Sequence, residues 1–244
     1  VSSINPLGLL TETAKIFRKN ISTKIIAITG SCGKTSLKEL LGNALNKISK
    51  TTISPKSYNN KYGVPLSLFN INQNDDYGVI EVGMDKKGEI DRLSKIIQPN
   101  ISVITNINYA HAKNFKNIRQ IALAKAEIID NTKDNGYVVL NADDTFFSLH
   151  KKIAHKKKIK VLSFGITNQC ADIKLHNIIK SKKKYKICIK LNNIKKNFLI
   201  SNDFQNYIYN ILAALTVKSV FLNILKLDKN IFLNFKTPEG RGDI

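Results

Sequence analysis

IIAITGSCGKTS, residues 25–36, decides how the rest of the chain is read. It opens as an apolar run rich in β-branched residues, which suit a pleated, buried strand. It closes in a turn flanked by Gly30 and Gly33 and carrying Lys34 and Thr35. Behind the turn, Leu37, Leu40, Leu41, Ala44, Leu45 and Ile48 recur at helical spacing. Strand, glycine turn and helix in that order predict a phosphate-binding loop. Backbone N–H groups at a helix N-terminus point at a bound anion, and the helix dipole favours its negative charge. The loop is expected to run through Gly30, Ser31, Cys32, Gly33, Lys34, Thr35 and Ser36, with the glycines allowing a tight turn and close phosphate approach. Lys34 would reach the outer phosphates, and the Thr35 hydroxyl would sit on a magnesium ion. Only Ser31 and Cys32 separate the two glycines, where the common loop has four residues. That spacing points to a subset of nucleotide-binding proteins rather than to generic ATPases.

Strands and helices alternate outward from this stretch. Strands are expected at 25–29, 51–54, 77–82, 101–105, 136–140 and 161–164. Helices are expected at 36–48, 65–70, 88–97 and 117–130. Residues 1–20 read as a short lead-in helix with Leu9, Leu10, Thr13, Ala14 and Phe17 on one side. Such alternation implies a mostly parallel sheet covered on both faces, whose ligands bind beyond the strand C-termini. Glu81, near the end of YGVIEV at 77–82, and His111, after the strand at 101–105, fall at the same edge as Gly30. After Gly165 the texture changes. Residues 173–179, 185–191 and 198–200 alternate apolar and polar, as a small antiparallel meander does. A long helix at 204–221, with Ile208, Ile211, Leu212 and Leu215 as its stripe, and a shorter one near 230–235 complete the chain. The expected class is α/β: a P-loop-type, mostly parallel sheet flanked by helices, with a small antiparallel β meander.

The 244 residues carry a net charge of +21, which invites a nucleic-acid reading. The lysines cluster at 151–160 and 180–186, in what read as surface turns and edge strands, and are not interleaved with aromatics as a single-strand binding face is. Ile, Asn and Lys are abundant throughout, so a solvated surface outranks nucleic-acid binding. A basic nucleic-acid-binding module is the alternative of a different class, and its signature is salt-steep binding that survives Lys34→Ala. No apolar run approaches a membrane span, and residues 1–20 do not read as a signal peptide. Cys32, Cys170 and Cys188 are odd in number without metal-ligand spacing, which fits a reduced, cytoplasmic compartment.

Five acidic, basic and imidazole side chains are candidates for chemistry. Glu81 ends an apolar strand, where a carboxylate is costly unless paired or near a metal. It and Thr35 could flank one magnesium ion, or the strand simply ends there and the acid is solvated. Lys125 sits within the apolar stripe of Ile118, Ile121, Ala122, Ile128 and Ile129. Either its stem snorkels to water, or burial lowers its pKa and leaves an amine able to form a carbamate with carbon dioxide; the residues alone favour the snorkel. His111 is a loop histidine at the ligand edge. Asp143 and Asp144 read as a helix N-cap and first-turn acid.

Together GSCGKTS at 30–36, YNNKYGVPLSL at 58–68, VIEVGMDKKGEI at 79–90, VITNINYAH at 103–111, IALAKAEI at 121–128 and LNADD at 140–144 resemble the Mur ligase family of ATP-dependent amino-acid and peptide ligases. The resemblance covers most of 23–144 and, less fully, 202–241. The two-residue loop spacing is the family's own. The Asn-Asn-x-x-Gly-Val-Pro and Ile-Glu-x-Gly…Gly-Glu-Ile runs favour the member that joins D-alanyl-D-alanine to UDP-N-acetylmuramoyl-tripeptide over its sister ligases and folylpolyglutamate synthase.

The resemblance implies an ADP-forming enzyme of peptidoglycan synthesis that uses ATP and Mg2+ and acts through an acyl phosphate; a monomer that binds no nucleic acid is expected. It implies that Lys34 and the loop amides hold ATP phosphates, and that Thr35 and Glu81 hold magnesium. His111 would position a second magnesium. Lys125 matches a lysine carbamylated in several members, which reverses the ranking above and makes it a further metal ligand. Asn210 matches an asparagine near the nucleotide base, and Arg241 an arginine near a hinge that contacts the γ-phosphate. Lys34, Lys125, His111 and Arg241 would form the catalytic set. The chain departs from the pattern at Asp203-Phe204-Gln205-Asn206, where Gly-x-His-Asn is usual, and at Asn108, where glycine is common. Residues 1–22 would be a connector from an N-terminal domain, 23–236 the central ATP-binding domain, and 237–244 a hinge to a C-terminal domain. Such a fragment is expected to bind Mg-ATP weakly without ligating.

Overall fold

The computed structural model describes residues 5–109, 114–181, 184–201, 207–233 and 235. In chain order the elements are α1 (Pro6–Asn20), β1 (Lys24–Thr29), α2 (Lys34–Asn46), β2 (Thr51–Ile53), α3 (Gly63–Phe69), β3 (Tyr77–Glu81), α4 (Glu89–Ile97) and β4 (Ile101–Ile104). There follow α5 (Ile118–Asp130), β5 (Tyr137–Asn141), α6 (Phe147–Lys156), β6 (Lys160–Gly165), β7 (Ile173–Ser181), β8 (Lys184–Leu191), β9 (Ile194–Ser201) and α7 (Ile208–Ser219).

The strands form one sheet in the order β2-β3-β1-β4-β5-β6-β7-β8-β9. Pairing is parallel from β2 through β7 and antiparallel across β7, β8 and β9. The α/β class with its antiparallel meander is therefore present, and the meander extends the parallel sheet as one continuous surface. Parallel strands buried on both faces read as unbroken apolar runs, as β1 does. Its Ile26 and Ile28 join the core under α2 and α7, with Leu37, Leu41, Ile211 and Leu215. Its Ile25 and Ala27 join the opposite core under α1, α3, α4 and α5, with Ala14, Val64, Ile97 and Ile128. The strand order changes direction at β1, with β3 on one side and β4 on the other, so a crevice opens where β1 ends.

Several expectations are corrected. In α1 the expected Ala14 is buried and Phe17 packs on the core, but Leu9 is 55% exposed and Arg18 is buried. The inward stripe is shifted rather than reversed, with Arg18 on it and Leu9 and Thr13 outside it. The Arg18 guanidinium donates to Ile97 O at 2.6 Å and Gln98 O at 3.1 Å, capping the C-terminus of α4, and also bonds Asn100 Oδ1 at 3.2 Å. Lysines 151, 152 and 156 lie on helix α6, not in turns. Asp143 and Asp144 do not cap that helix: the residue before its first turn, Phe146, makes no side-chain cap. Residues 230–233 are turns, and the short helical piece is a 3-10 turn at Ile224–Lys226. Among the described residues no helix is long and apolar enough to cross a membrane.

Candidate functional site

The loop after β1 is shaped by two glycines in conformations that side chains avoid. Gly30 has φ +145° and Gly33 φ +79°. A Cβ on Gly30 would lie 1.8 Å from Thr105 Oγ1. That crowding follows from the stitching of the loop to the exit of β4. Thr105 Oγ1 donates to Cys32 O at 2.7 Å. Ser31 N donates to Asn106 O and Cys32 N to Asn106 Oδ1, both at 2.9 Å. Asn108 N donates to Ser31 Oγ at 2.9 Å. Gly33 then caps α2, whose first turn presents the amides of Lys34, Thr35 and Ser36, the end of a helix where anions are favoured.

Two lysines converge on one carbonyl. Lys34 Nζ donates to Gly30 O at 2.9 Å and Ser31 O at 3.4 Å, and Lys125 Nζ donates to Gly30 O at 3.0 Å. Lys125 is only 2% exposed, so its stem does not snorkel. Burial, and then the neighbouring Lys34 charge, push its pKa down from 10.5 to about 7, with Cys32 acting weakly the other way.

Glu81 is 1% exposed, which rules out a solvated strand end. Its Oε2 accepts the Thr35 hydroxyl at 2.6 Å and its Oε1 accepts Asn59 Nδ2 at 2.7 Å. Its backbone N–H is held by Ser54 Oγ at 3.1 Å. A buried carboxylate bonded to a hydroxyl at a helix N-terminus is a hard-oxygen donor pair of the kind magnesium takes, with phosphate and water completing its shell. Among the described residues no three His, Cys, Asp or Glu side chains gather as a softer metal would require. Asn210, in the first turn of α7, is buried against the loop: its Oδ1 would be 3.1 Å from a Cβ on Gly33. The structure thus gathers Gly30–Ser36, Glu81, Lys125 and Asn210 around one crevice. His111 and Arg241 lie outside the described residues.

Reading the residues alone missed several members of this edge. Asn59 stood inside the quoted YNNKYGVPLSL run, but nothing in its type or spacing marks it as Glu81's partner. Asn106 holds the loop. Asp143 gathers the 166–168 loop, accepting from Ile166 N at 2.6 Å, Asn168 N at 2.7 Å and the Tyr209 hydroxyl at 3.1 Å. Asp144 accepts Ile107 N at 2.7 Å, tying β5's exit to β4's. From Lys34 a cleft of about 770 Å³ runs past Asn60 and Tyr62 to Arg92 on α4 and Lys15 on α1. It is positive along its walls and apolar at Met84 and Leu93.

Comparison with known proteins agrees with this geometry. Residues 28–218 match the family described as Mur ligase middle domain. The UDP-N-acetylmuramoyl-tripeptide–D-alanyl-D-alanine ligase of Buchnera aphidicola subsp. Acyrthosiphon pisum is 40% identical over 211 residues, 84% of this chain and 45% of that protein. The crystal structure of MurF from Acinetobacter baumannii superposes with a TM-score of 0.87 at 26% identity, over 98% of this chain and 52% of that one. MurF ligase from Thermotoga maritima in complex with ADP gives 0.86 at 26% identity, over 98% and 54%. The chain spans about half the length of the relatives it matches. A loop of the family's own spacing, a family match over most of the chain and superposable MurF structures lead to one conclusion: the chain belongs to the Mur ligase family, matching its middle domain.

Proposed function

We propose that this chain is the central, ATP- and Mg2+-binding part of an ADP-forming ligase that joins D-alanyl-D-alanine to UDP-N-acetylmuramoyl-tripeptide in peptidoglycan synthesis. The observation that carries the reading is the Thr35–Glu81 contact of 2.6 Å, buried at the mouth of a glycine loop bearing Lys34. The ADP named with the Thermotoga maritima structure supports the nucleotide. The relatives' greater length supports further domains, with 1–22 as a connector, 23–236 as the nucleotide domain and 237–244 as a hinge.

In this reading the loop amides and Lys34 take the nucleotide phosphates, and Asn210 lies toward the base. Thr35 and Glu81 hold magnesium, which neutralises phosphate charge when bound. His111 would position a second magnesium, and Arg241 would contact the γ-phosphate. A substrate carboxylate entering along the positive cleft attacks the γ-phosphorus. The bond to the bridging oxygen breaks, ADP leaves and an acyl phosphate forms. The amine of D-alanyl-D-alanine then attacks the acyl carbon, loses a proton and expels phosphate. Cationic groups beside the loop favour the charge that develops on the transferring phosphoryl group. Lys125, with its depressed pKa, presents a neutral amine that can add carbon dioxide, forming an N–C bond and releasing a proton. The resulting carbamate turns a cation into an oxygen donor.

The test is calorimetric titration of the chain with ADP and ATP, with and without magnesium, followed by ligation assays of the full-length parent with each tripeptide, with the substrates of sister Mur ligases and with folate substrates. Magnesium-dependent nucleotide binding by the chain, with ligation of D-alanyl-D-alanine only by the parent, is expected. Ligation of another amine by the parent reassigns the substrate, and salt-steep nucleic-acid binding that survives Lys34→Ala reassigns the class.

A further inference from the structure

Lys38 lies one turn beyond the loop on α2, fully buried, and faces neither solvent nor nucleotide. Its Nζ donates to Ser54 O at 2.6 Å and to Lys56 O, with Glu39 Oε1 at 3.1 Å. These carbonyls stand on either side of Pro55, so one ammonium closes the turn that follows β2. Lys56 in that turn has φ +42°, a left-handed conformation that a residue with a Cβ resists. The turn grips β3 on both sides of Glu81. Ser54 Oγ accepts the Glu81 N–H at 3.1 Å, and three residues beyond Lys56 the Asn59 amide donates to Glu81 Oε1 at 2.7 Å. Asn59 O also accepts Gly83 N at 2.8 Å. An apolar side chain would fill the same space without burying a charge, and a buried ammonium is costly unless every donor is used. Here two donors go to the backbone that delivers Asn59, and the Glu39 carboxylate pairs the charge.

We propose that Lys38 is a positioning residue of the metal site: by holding the Ser54 and Lys56 carbonyls it keeps Asn59 on Glu81 Oε1 and leaves Oε2 aimed at Thr35. This rests on the reading that Thr35 and Glu81 take magnesium. Lys38 touches neither nucleotide nor substrate and acts through the turn.

The experiment titrates magnesium into the chain at fixed fluorescent ADP analogue. In Lys38→Met the magnesium concentration for half-maximal nucleotide binding rises about tenfold, the low end of the cost of losing a metal ligand's outer partner, because Lys38 acts on that partner, Asn59, through the turn. Affinity at saturating magnesium stays near wild type. Asn59→Ala gives a similar rise, and the double variant adds little to it, because both break one chain of contacts. Lys56→Pro breaks the same turn from the exposed side, since proline cannot take φ +42°, and keeps the test open should Lys38→Met not fold. It too must raise the midpoint. An unchanged midpoint in Lys56→Pro or in a folded Lys38→Met, or shifts that multiply in the double variant, overturn the proposal. A wild-type chain that binds no magnesium nucleotide defeats the functional reading instead. Hydrogen exchange at the Asn59 amide, bonded to Ser57 O at 2.8 Å, then judges the turn: faster exchange in Lys56→Pro and in a folded Lys38→Met supports the positioning role, and unchanged exchange overturns it.

Discussion

The loop edge of the sheet and its β7–β9 extension are both rich in lysine, and they use it in opposite ways. At the loop edge Lys38 and Lys125 are buried and Lys34 lies against the loop, each with its ammonium on backbone carbonyls. On β8, Tyr185, Ile187 and Ile189 turn inward while Lys184 and Lys186 turn out, as the two-residue period of a half-buried strand requires. Most lysines there fill the outer face, while Lys174 reaches the Gln169 carbonyl and Lys196 the Leu225 carbonyl. A net charge of +21 therefore says little about function, because most of the described lysines are exposed. Desolvation separates the two regions: a charge without water must be held by something, and what holds it defines a site.

The sharpest way to break this contrast is at the loop. Gly30→Ala places a methyl on Thr105 and forces φ +145° on a residue that resists it. Loss of on the order of 2–4 kcal/mol of stability is expected, as strain and overpacking add. Nucleotide binding should disappear with it. Urea denaturation and calorimetry check both, and a stable, binding Gly30→Ala protein would show that the loop tolerates a shift the structure does not allow.

Next in size is the loop cation itself. Lys34→Ala removes a charge expected to contact phosphate, a loss of about 2–5 kcal/mol for a desolvated charge pair, hence roughly 30-fold or more in nucleotide affinity. Stability should change far less. Glu81→Gln keeps the shape and removes the charge, so binding should lose most of its magnesium dependence while metal-free affinity persists. If magnesium sharpens binding equally in Glu81→Gln, the carboxylate is not its ligand.

How much of this contrast was legible in the residues follows from the range of the forces involved. The strands at the loop, β3 and β4 were legible because burial on both faces writes itself as an apolar run. The loop was legible because glycine, lysine and threonine occupy fixed places along one local chain. The buried character of Lys125 was not. Helical period places it in an inward stripe, but whether that stripe ends under the loop or at a wet rim depends on Gly30, 95 positions away. Asn59 and Lys38 were hidden for the same reason: their contacts, 22 and 16 residues along the chain, exist only once the turn at Pro55 is built. Helix α6 was obscured by its lysines. Its inward residues, such as His150 and Ala154, are too few to announce a stripe.

Lys125 offers a smaller, pH-dependent test of the buried side. Below pH 7 the lysine is protonated in both folded and unfolded chains, and folding bears the full cost of burying an ammonium. As pH rises through about 7 the folded lysine loses its proton, while the unfolded one keeps it until near 10.5. The unfolded chain then binds more protons, so stability rises with pH across that window. Lys125→Met removes the rise. The stability of wild type relative to Lys125→Met should climb by on the order of 1 kcal/mol per pH unit between 7 and 9, read from urea midpoints at pH 6, 7, 8 and 9. A constant difference would mean that Lys125 keeps an ordinary lysine pKa and that its burial carries no carbamate chemistry.

The smallest effect belongs to the extension. Register places Lys190 directly opposite Lys174 on β7 and Lys195 on β9, three like charges abreast; Lys195 is exposed, Lys174 and Lys190 are half-buried, and Lys174 also reaches Gln169 O. Like charges across a ladder are mildly unfavourable and opposite charges mildly favourable, each by about 0.2–1 kcal/mol, and salt screens exposed pairs further. Lys190→Glu should therefore stabilise the chain slightly, by up to about 1 kcal/mol at low salt and less at high salt, and leave magnesium-nucleotide binding unchanged. Urea midpoints at two salt concentrations and one nucleotide titration suffice. Destabilisation, or a change in nucleotide affinity, would mean that Lys190 itself is held by something other than water, and that this part of the extension belongs with the loop edge rather than opposite it.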